Sequence, residues 1–151
     1  EYIDTYGGED MLVLAGKENY FWERLTPRIK LLSHVRYLGF QSDEELARLY
    51  ALARAFVYPS LSEGFGIPPL EAMQQGIPVL SSDASCLPEV LGDGVLYTDT
   101  TNKEMFASAI DMILHNDDIR YDVRVAAKEV LTRYSSEQFG AETITIYNNT
   151  V

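Results

Sequence analysis

Short apolar runs alternate along this chain with longer segments of helical spacing. Met11-Leu12-Val13-Leu14-Ala15 is a continuous apolar run that stops at Gly16, and it reads as a buried parallel strand. Asn19 to Leu32 has helical spacing, with Pro27 marking a break or a second helical start. Val35 to Leu38 is the next strand. Ser42 then opens a helix with Glu45 three residues on, the spacing of a capping box, and Leu46, Leu49, Tyr50 and Ala53 form its apolar face. Ala55 to Tyr58, Val79-Leu80 and Val95-Leu96-Tyr97 are three further short strands. Between the first two of these, Leu70 to Gln75 is helix-like and stops at Gly76. Thr101 with Glu104 is a second capping box, before a helix through Leu114. Ile119 to Leu131 is another helix. Ser135 with Gln138 starts a last one that fades near Asn148, although Thr143-Ile144-Thr145-Ile146 alternates like a strand. There is no internal repeat, low-complexity tract or second domain boundary, so residues 1–151 read as one domain.

Alternating strands and helices predict an α/β fold, a doubly wound parallel sheet with helices on both faces. In such sheets ligands bind outside the carboxyl ends of the strands. The segments to read for function are therefore Gly16-Lys17, Gly39-Phe40-Gln41, Pro59 to Gly66, Ser81 to Cys86 and Thr98-Asp99.

One of these segments is unusual. Glu63-Gly64-Phe65-Gly66-Ile67-Pro68-Pro69-Leu70-Glu71 carries a carboxylate on the loop leaving a strand, then two glycines that free the backbone, then two prolines, with Pro68 at the first helical position. A second carboxylate, Glu71, follows in that first turn. Amide N–H groups at a helix start can meet a phosphate, and carboxylates accept hydrogen bonds from sugar hydroxyls, so the arrangement suits an anionic, hydroxyl-rich ligand. Because Pro68 and Pro69 have no N–H, the donors come mainly from Gly64 to Ile67 and from Leu70. Phe65 reads as packing rather than stacking. The bland readings are a solvated loop acid for Glu63 and a dipole-stabilised first-turn acid for Glu71.

Composition narrows the classes. At 151 residues and 46% apolar, the chain suits a soluble domain with a single core. It has no apolar run long enough to span a bilayer and no signal-peptide pattern. One cysteine, Cys86, excludes an internal disulfide and suits a reducing compartment. Twelve Lys+Arg against 23 Asp+Glu gives a net charge of −11, which disfavours nucleic acid or an anionic membrane surface as partner. That charge is awkward for a site holding a diphosphate. Lys17 is the one cation of its loop, solvent-facing or helping a phosphate. His34 and His115 lack a partner pattern and read as structural or surface residues. Cys86 has no nucleophile or metal pattern and reads as a small buried thiol. Asp83 and Asp99 could suggest a metal, but Asp-x-Asp is absent, and the residues give no pattern that calls for a metal or cofactor.

The Glu63–Glu71 segment resembles the E-x7-E region of retaining, nucleotide-sugar-dependent glycosyltransferases of the GT-B fold, in particular family 4 ("group 1"). The similarity extends to Val35-Arg36-Tyr37-Leu38-Gly39-Phe40 with Ser42 to Leu46, to Tyr58-Pro59-Ser60, to Gly76-Ile77-Pro78-Val79-Leu80-Ser81-Ser82, and to Leu87-Pro88-Glu89-Val90. Five blocks in order run from about Met11 to the C-terminus. The resemblance implies the Rossmann-like C-terminal, donor-binding domain, truncated at its N-terminus. On that implication Glu63 contacts the donor sugar, Glu71 accepts both ribose hydroxyls, Gly64, Phe65, Gly66, Ile67 and Leu70 surround the phosphates, and the backbone of Gly39 and Phe40 meets the nucleobase. Lys17 is a further candidate from its own position after a strand end, apart from the resemblance. The partners implied are a GDP- or UDP-sugar and a missing N-terminal GT-B domain. The location implied is cytoplasmic, with any membrane contact made by the missing half. Glu1-Tyr2-Ile3-Asp4-Thr5-Tyr6 looks like the tail of an early helix of the family. Gly-Ile-Pro-Pro-Leu-Glu and Leu-Pro-Glu-Val are similar to blocks of polysaccharide mannosyltransferases. The alternatives are a non-catalytic nucleotide-binding module, or a sugar-nucleotide epimerase or glucan synthase on the same architecture.

Overall fold

The computed structural model describes residues 10–149, so the expected helix tail at Glu1–Tyr6 lies outside the described residues. Backbone contacts divide the chain into two compact units, Glu1–Leu52 and Ala53–Val151.

In the first unit, β1 (Leu12–Leu14) pairs in parallel with β2 (Val35–Tyr37), Leu12 facing Val35 and Leu14 facing Tyr37. Helix α1 (Tyr20–Ile29) joins them. Asn19 caps it, its side-chain oxygen accepting the Trp22 N–H at 3.0 Å. Pro27 neither breaks nor restarts the helix, which runs on to Ile29 and ends short of the expected Leu32. Trp22 stacks on Tyr37 with ring centroids 3.5 Å apart, fastening α1 to β2. Helix α2 (Asp43–Leu52) opens with the expected capping box. The Ser42 N–H donates to Glu45 Oε2 at 2.8 Å, and the Glu45 N–H donates to Ser42 Oγ at 3.3 Å. The Ser42 N–H, joined by the Ser42 hydroxyl donating to the same Oε2 at 3.0 Å, holds the Glu45 carboxyl below the usual carboxylate range. Of the expected apolar face, Tyr50 is buried and Leu46 and Leu49 are half-buried, while Ala53 falls outside the helix and is exposed. One expectation fails here. Strand β1 is not buried: Leu12 and Val13 are 49% and 44% exposed. With β2 as its paired strand among the described residues, the run keeps its apolar faces partly in water.

The second unit holds three parallel strands, β3 (Phe56–Tyr58), β4 (Val79–Ser82) and β5 (Leu96–Thr98), in the order β3-β4-β5. Tyr58 faces Ser81, and Ser82 faces Thr98. Strand β4 lies in the middle and is buried along its whole length. Helix α3 (Ile67–Gln74) links β3 to β4, and the short helix α4 (Leu87–Leu91) links β4 to β5. The remaining helices are α5 (Lys103–His115), α6 (Asp117–Leu131) and α7 (Ser136–Asn149). Leu80 of β4 packs with Ala109 and Ile113 of α5 and Val123 of α6, and Val57, Leu96, Phe106 and Ile110 close around them. Each large aliphatic side chain buried this way contributes about 1.5–3 kcal/mol. Helix α3 packs on β3, β4 and α6, burying Ala72 and Met73. No helix among the described residues is long and apolar enough to cross a membrane.

Local detail departs from the sequence reading at two places and agrees with it at a third. The cap of α5 is Asn102, whose Oδ1 accepts the Glu104 and Met105 N–H groups at 3.1 Å, and not Thr101. Thr101 is diverted into an Asx turn, with its N–H and hydroxyl donating to Asp99 Oδ1 at 2.8 and 2.6 Å. Those bonds hold the Asp99 carboxyl below its usual range. Residues 143–146 belong to the expected last helix and not to the strand their alternation imitates: the Thr143 and Thr145 hydroxyls donate to the carbonyls of Phe139 and Ala141, four residues back. Helix α4 was not evident as an element in the sequence. It is five residues long and is braced by two phenols. Tyr97 donates to the Gly92 carbonyl at 2.8 Å, and Tyr134 donates to the Val90 carbonyl at 2.8 Å.

Burial, with the Asp93 carboxylate adding to it, pushes the Tyr97 phenol up to about 12. A raised folded-state value favours the neutral phenol, so this contribution to stability is complete below pH 10 and is lost as the pH rises towards about 12. Tyr97→Phe is expected to lose about 0.5–1.5 kcal/mol at neutral pH, the worth of one neutral hydrogen bond. In urea unfolding the gap between parent and variant should close above pH 10. A gap that stays constant with pH contradicts this role for Tyr97. A second expectation concerns Gly66, where a built Cβ would lie 2.7 Å from Leu87 Cδ2 on a backbone with φ of +90°. Gly66→Ala should cost about 2–4 kcal/mol through left-handed strain and overpacking together. Unchanged unfolding free energy in that variant would show that the turn relaxes freely.

Candidate ligand site at the strand ends

The parallel order of β3, β4 and β5 brings their carboxyl ends to one edge of the second unit. The loop after β3 carries Glu63 and leads into α3, and the loop after β4 carries Ser85 and Cys86 and leads into α4. These two loops are bonded together. The Ser85 hydroxyl donates to the Glu63 carbonyl at 3.0 Å, and the Cys86 thiol donates to the same oxygen at 3.3 Å. Ser85 occupies the left-handed region at φ 58°, which turns its side chain back towards the Glu63 loop. At the strand end, the Ser82 hydroxyl donates to the Ser60 carbonyl.

The carboxylate of Glu63 has its own partner. The Tyr58 hydroxyl, at the end of β3, donates to Glu63 Oε1 at 2.6 Å. That bond, with a further contribution from the Ser60 hydroxyl, holds the Glu63 carboxyl below the usual range. Glu63 is thus an ionised, half-buried group, fastened at its carboxylate and at its backbone.

Gly66 is the residue before α3, with φ 90° and ψ 53°. Its own burial and its contact with the fully buried Leu87 leave no space for a side chain. Gly64 differs: its surroundings are open and its backbone is not in the left-handed region, so of the two glycines only Gly66 frees the turn. Ile67 is the first helical residue, which places Pro68 second and Pro69 third. Glu71 is therefore in the second turn and not the first, exposed on the side of α3. The first turn of α3 contains no acid, so the reading of Glu71 as a dipole-stabilised cap does not apply. Phe65 packs edge-on against Tyr134 with centroids 5.5 Å apart, as packing rather than stacking predicts. Leu70 is buried and serves the core with its side chain.

In the first unit, β1 and β2 bring Gly16-Lys17 beside Gly39-Phe40. The Gly16 N–H donates to the Gly39 carbonyl at 2.9 Å, and the Tyr37 hydroxyl donates to the Gly16 carbonyl at 2.6 Å. Gly39 has φ 73°. Lys17 Nζ lies 5.2 Å above the Phe40 ring, so the exposed lysine has an aromatic partner. Of the remaining candidates, His115 contacts Asp111 at the surface at 3.1 Å, and Cys86 is half-buried rather than buried.

Sequence reasoning passed over Tyr58, Ser82, Ser85 and Cys86 as support for Glu63. Tyr58 and Ser82 end their strands, and Ser85 and Cys86 follow in the loop after β4, all at the edge that a parallel sheet already marks as ligand-facing. Pairing β3 with β4 was the additional information needed to bring their loops together.

Comparisons with known proteins agree with this architecture. Residues 8–130 match the family model described as glycosyl transferases group 1. The O-antigen chain mannosyltransferase B of Escherichia coli is 38% identical over 140 residues, which is 90% of this chain and 36% of that protein. The O-antigen chain mannosyltransferase RfbU of Salmonella typhimurium is 38% identical over 114 residues, 74% of this chain and 31% of that protein. The chain thus spans about a third of the length of these relatives. Among solved structures, Anabaena HepE in complex with UDP and glucose superimposes with a TM-score of 0.74 at 22% identity, covering 89% of this chain and 40% of that one. On sequence and fold together, the chain belongs to the group 1 family of glycosyltransferases and has the α/β fold of a GT-B domain.

Proposed function

We propose that this chain is the donor-binding part of a retaining glycosyltransferase that moves a sugar from a nucleoside diphosphate to an acceptor hydroxyl in polysaccharide synthesis. The observation that carries the reading is the fixed Glu63 carboxylate beside the Gly66 start of α3, with Glu71 one turn further along the same helix. HepE, described in complex with UDP and glucose, supports a nucleotide-sugar ligand, and the two O-antigen mannosyltransferases favour mannose as the sugar. The donor is a GDP- or UDP-sugar, and the acceptor is held by an N-terminal domain of the intact enzyme.

The chemistry asks for charge management. As the glycosidic bond to the diphosphate breaks, positive charge grows on the sugar and negative charge on the leaving phosphate. Amide N–H groups at the Gly66–Leu70 helix start are neutral dipoles suited to the leaving anion, and they need no reorganisation during the step. Glu63 accepts from the sugar hydroxyls and fixes the ring relative to the phosphate. Glu71, exposed on a rigid helix, accepts from the two ribose hydroxyls. For the first unit, the resemblance assigns the Gly39-Phe40 backbone to a nucleobase edge.

This division of labour separates the two acids by ligand. In the intact enzyme, Glu71→Ala should weaken the bare nucleoside diphosphate and the nucleotide-sugar alike. Losing hydrogen bonds to a charged group costs about 1.5–3 kcal/mol, or about one to two decades of affinity. Glu63→Ala should weaken the nucleotide-sugar or slow transfer, and leave the bare nucleoside diphosphate nearly untouched. Calorimetric titration of both ligands on both variants tests the assignment. Equal loss of bare nucleotide in the two variants would leave only a generic acidic ligand site.

A further inference from the structure

Glu63 sits on irregular backbone between β3 and α3, where a glutamate side chain has several rotamers to choose from. Fixing such a side chain costs up to about 2 kcal/mol of conformational entropy. A loop acid that must meet sugar hydroxyls at one place needs that cost met before the ligand arrives. The strand end supplies the means. Tyr58 is the last residue of β3, and it is paired in register with Ser81 of the buried strand β4. Its ring lies on the same face as Phe56, two residues back, at 6.0 Å between centroids and 22° between planes. The phenol therefore rises from a rigid base. It reaches over five residues to a carboxylate oxygen, at the short distance of a charge-assisted O–H···O bond.

We propose that Tyr58 is a positioning residue, whose hydroxyl holds the Glu63 carboxylate in the orientation that receives the donor sugar. The inference rests on the assignment of Glu63 to the sugar made above. Two separate fastenings support it. The Glu63 backbone is held by Ser85 and Cys86 from the α4 side, and its carboxylate is held by Tyr58 from the β3 side. With both ends fixed, few side-chain torsions remain free. Every one of these donors is neutral. Glu63 therefore keeps its full negative charge for the ligand, where an arginine partner would have cancelled it.

A phenol that merely found a convenient acceptor would show no coupling to Glu63 in catalysis. The test is a double-mutant cycle in the intact enzyme with Tyr58→Phe, Glu63→Ala and the double variant. The donor is whichever of GDP-mannose or UDP-glucose the parent turns over, and the binding probe is the matching bare nucleoside diphosphate. Tyr58→Phe keeps the ring and its packing. It is expected to lower kcat/KM for the donor by about 10- to 100-fold, as loss of a hydrogen bond to a charged group does. Bare nucleotide affinity should remain within about twofold, and the melting temperature should barely move. In the Glu63→Ala background, adding Tyr58→Phe should have no further effect. Equal losses in both backgrounds, or parental kcat/KM in Tyr58→Phe, overturn the proposal and leave Glu63 its role. Failure of Tyr58→Phe to fold or to bind bare nucleotide also overturns it, since the phenol would then support the loop as a whole. Parental transfer by Glu63→Ala is a different outcome: it removes the assignment of Glu63 itself, whatever Tyr58 does.

Discussion

The left-handed turn at Gly66, pressed against Leu87, sets the geometry on which the candidate site depends. A parallel strand must hand the chain to a helix in a few residues, and here the handover occurs under the fully buried Leu87 side chain. Only a residue without Cβ fits both the backbone angle and the space. From that turn follow the direction of α3, the placing of Pro68 and Pro69 where their missing N–H groups cost least, and the face on which Glu71 appears. Leu87 is fixed in turn, because α4 is braced by the Tyr97 and Tyr134 phenols. A contact network that looks like ordinary core packing therefore determines where two carboxylates stand.

Electrostatics at this edge relies on neutral groups. The chain carries a net charge of −11, yet its proposed ligand is a diphosphate. The donors in the second unit that suit such an anion are backbone amides at a helix start, and those that hold Glu63 are hydroxyls and a thiol. Neutral donors orient a carboxylate and lower its proton affinity without cancelling its charge. A charged carboxylate suits a sugar that gains positive character as the diphosphate departs.

Local signals in the sequence were legible where a residue's partner lay within a few positions. The Ser42–Glu45 capping box and the Asn19 start of α1 form as the sequence predicts, because their donors and acceptors are three residues apart. The same signal misled at Thr101. Two adjacent residues could cap α5, and Asp99 claimed the threonine, leaving Asn102 to cap the helix. At residues 143–146 the alternation of Thr and Ile imitates a strand, but the threonine hydroxyls bond back along a helix. The roles of Gly66 and Tyr58 depend on contacts with Leu87 and with the folded Glu63 loop, which spacing alone does not reveal. Motif resemblance pointed to the candidate segment, and sheet order was needed to find what holds Glu63.

Amide-resolved NMR on the isotopically labelled intact enzyme tests the central claim most directly, with UDP and GDP titrated separately. The account predicts that the nucleotide bound more tightly shifts the Gly64, Gly66, Ile67 and Leu70 amides most strongly within the second unit, because the phosphates take hydrogen bonds from that helix start. Saturable binding that leaves these four amides unmoved would place the diphosphate elsewhere and contradict the account.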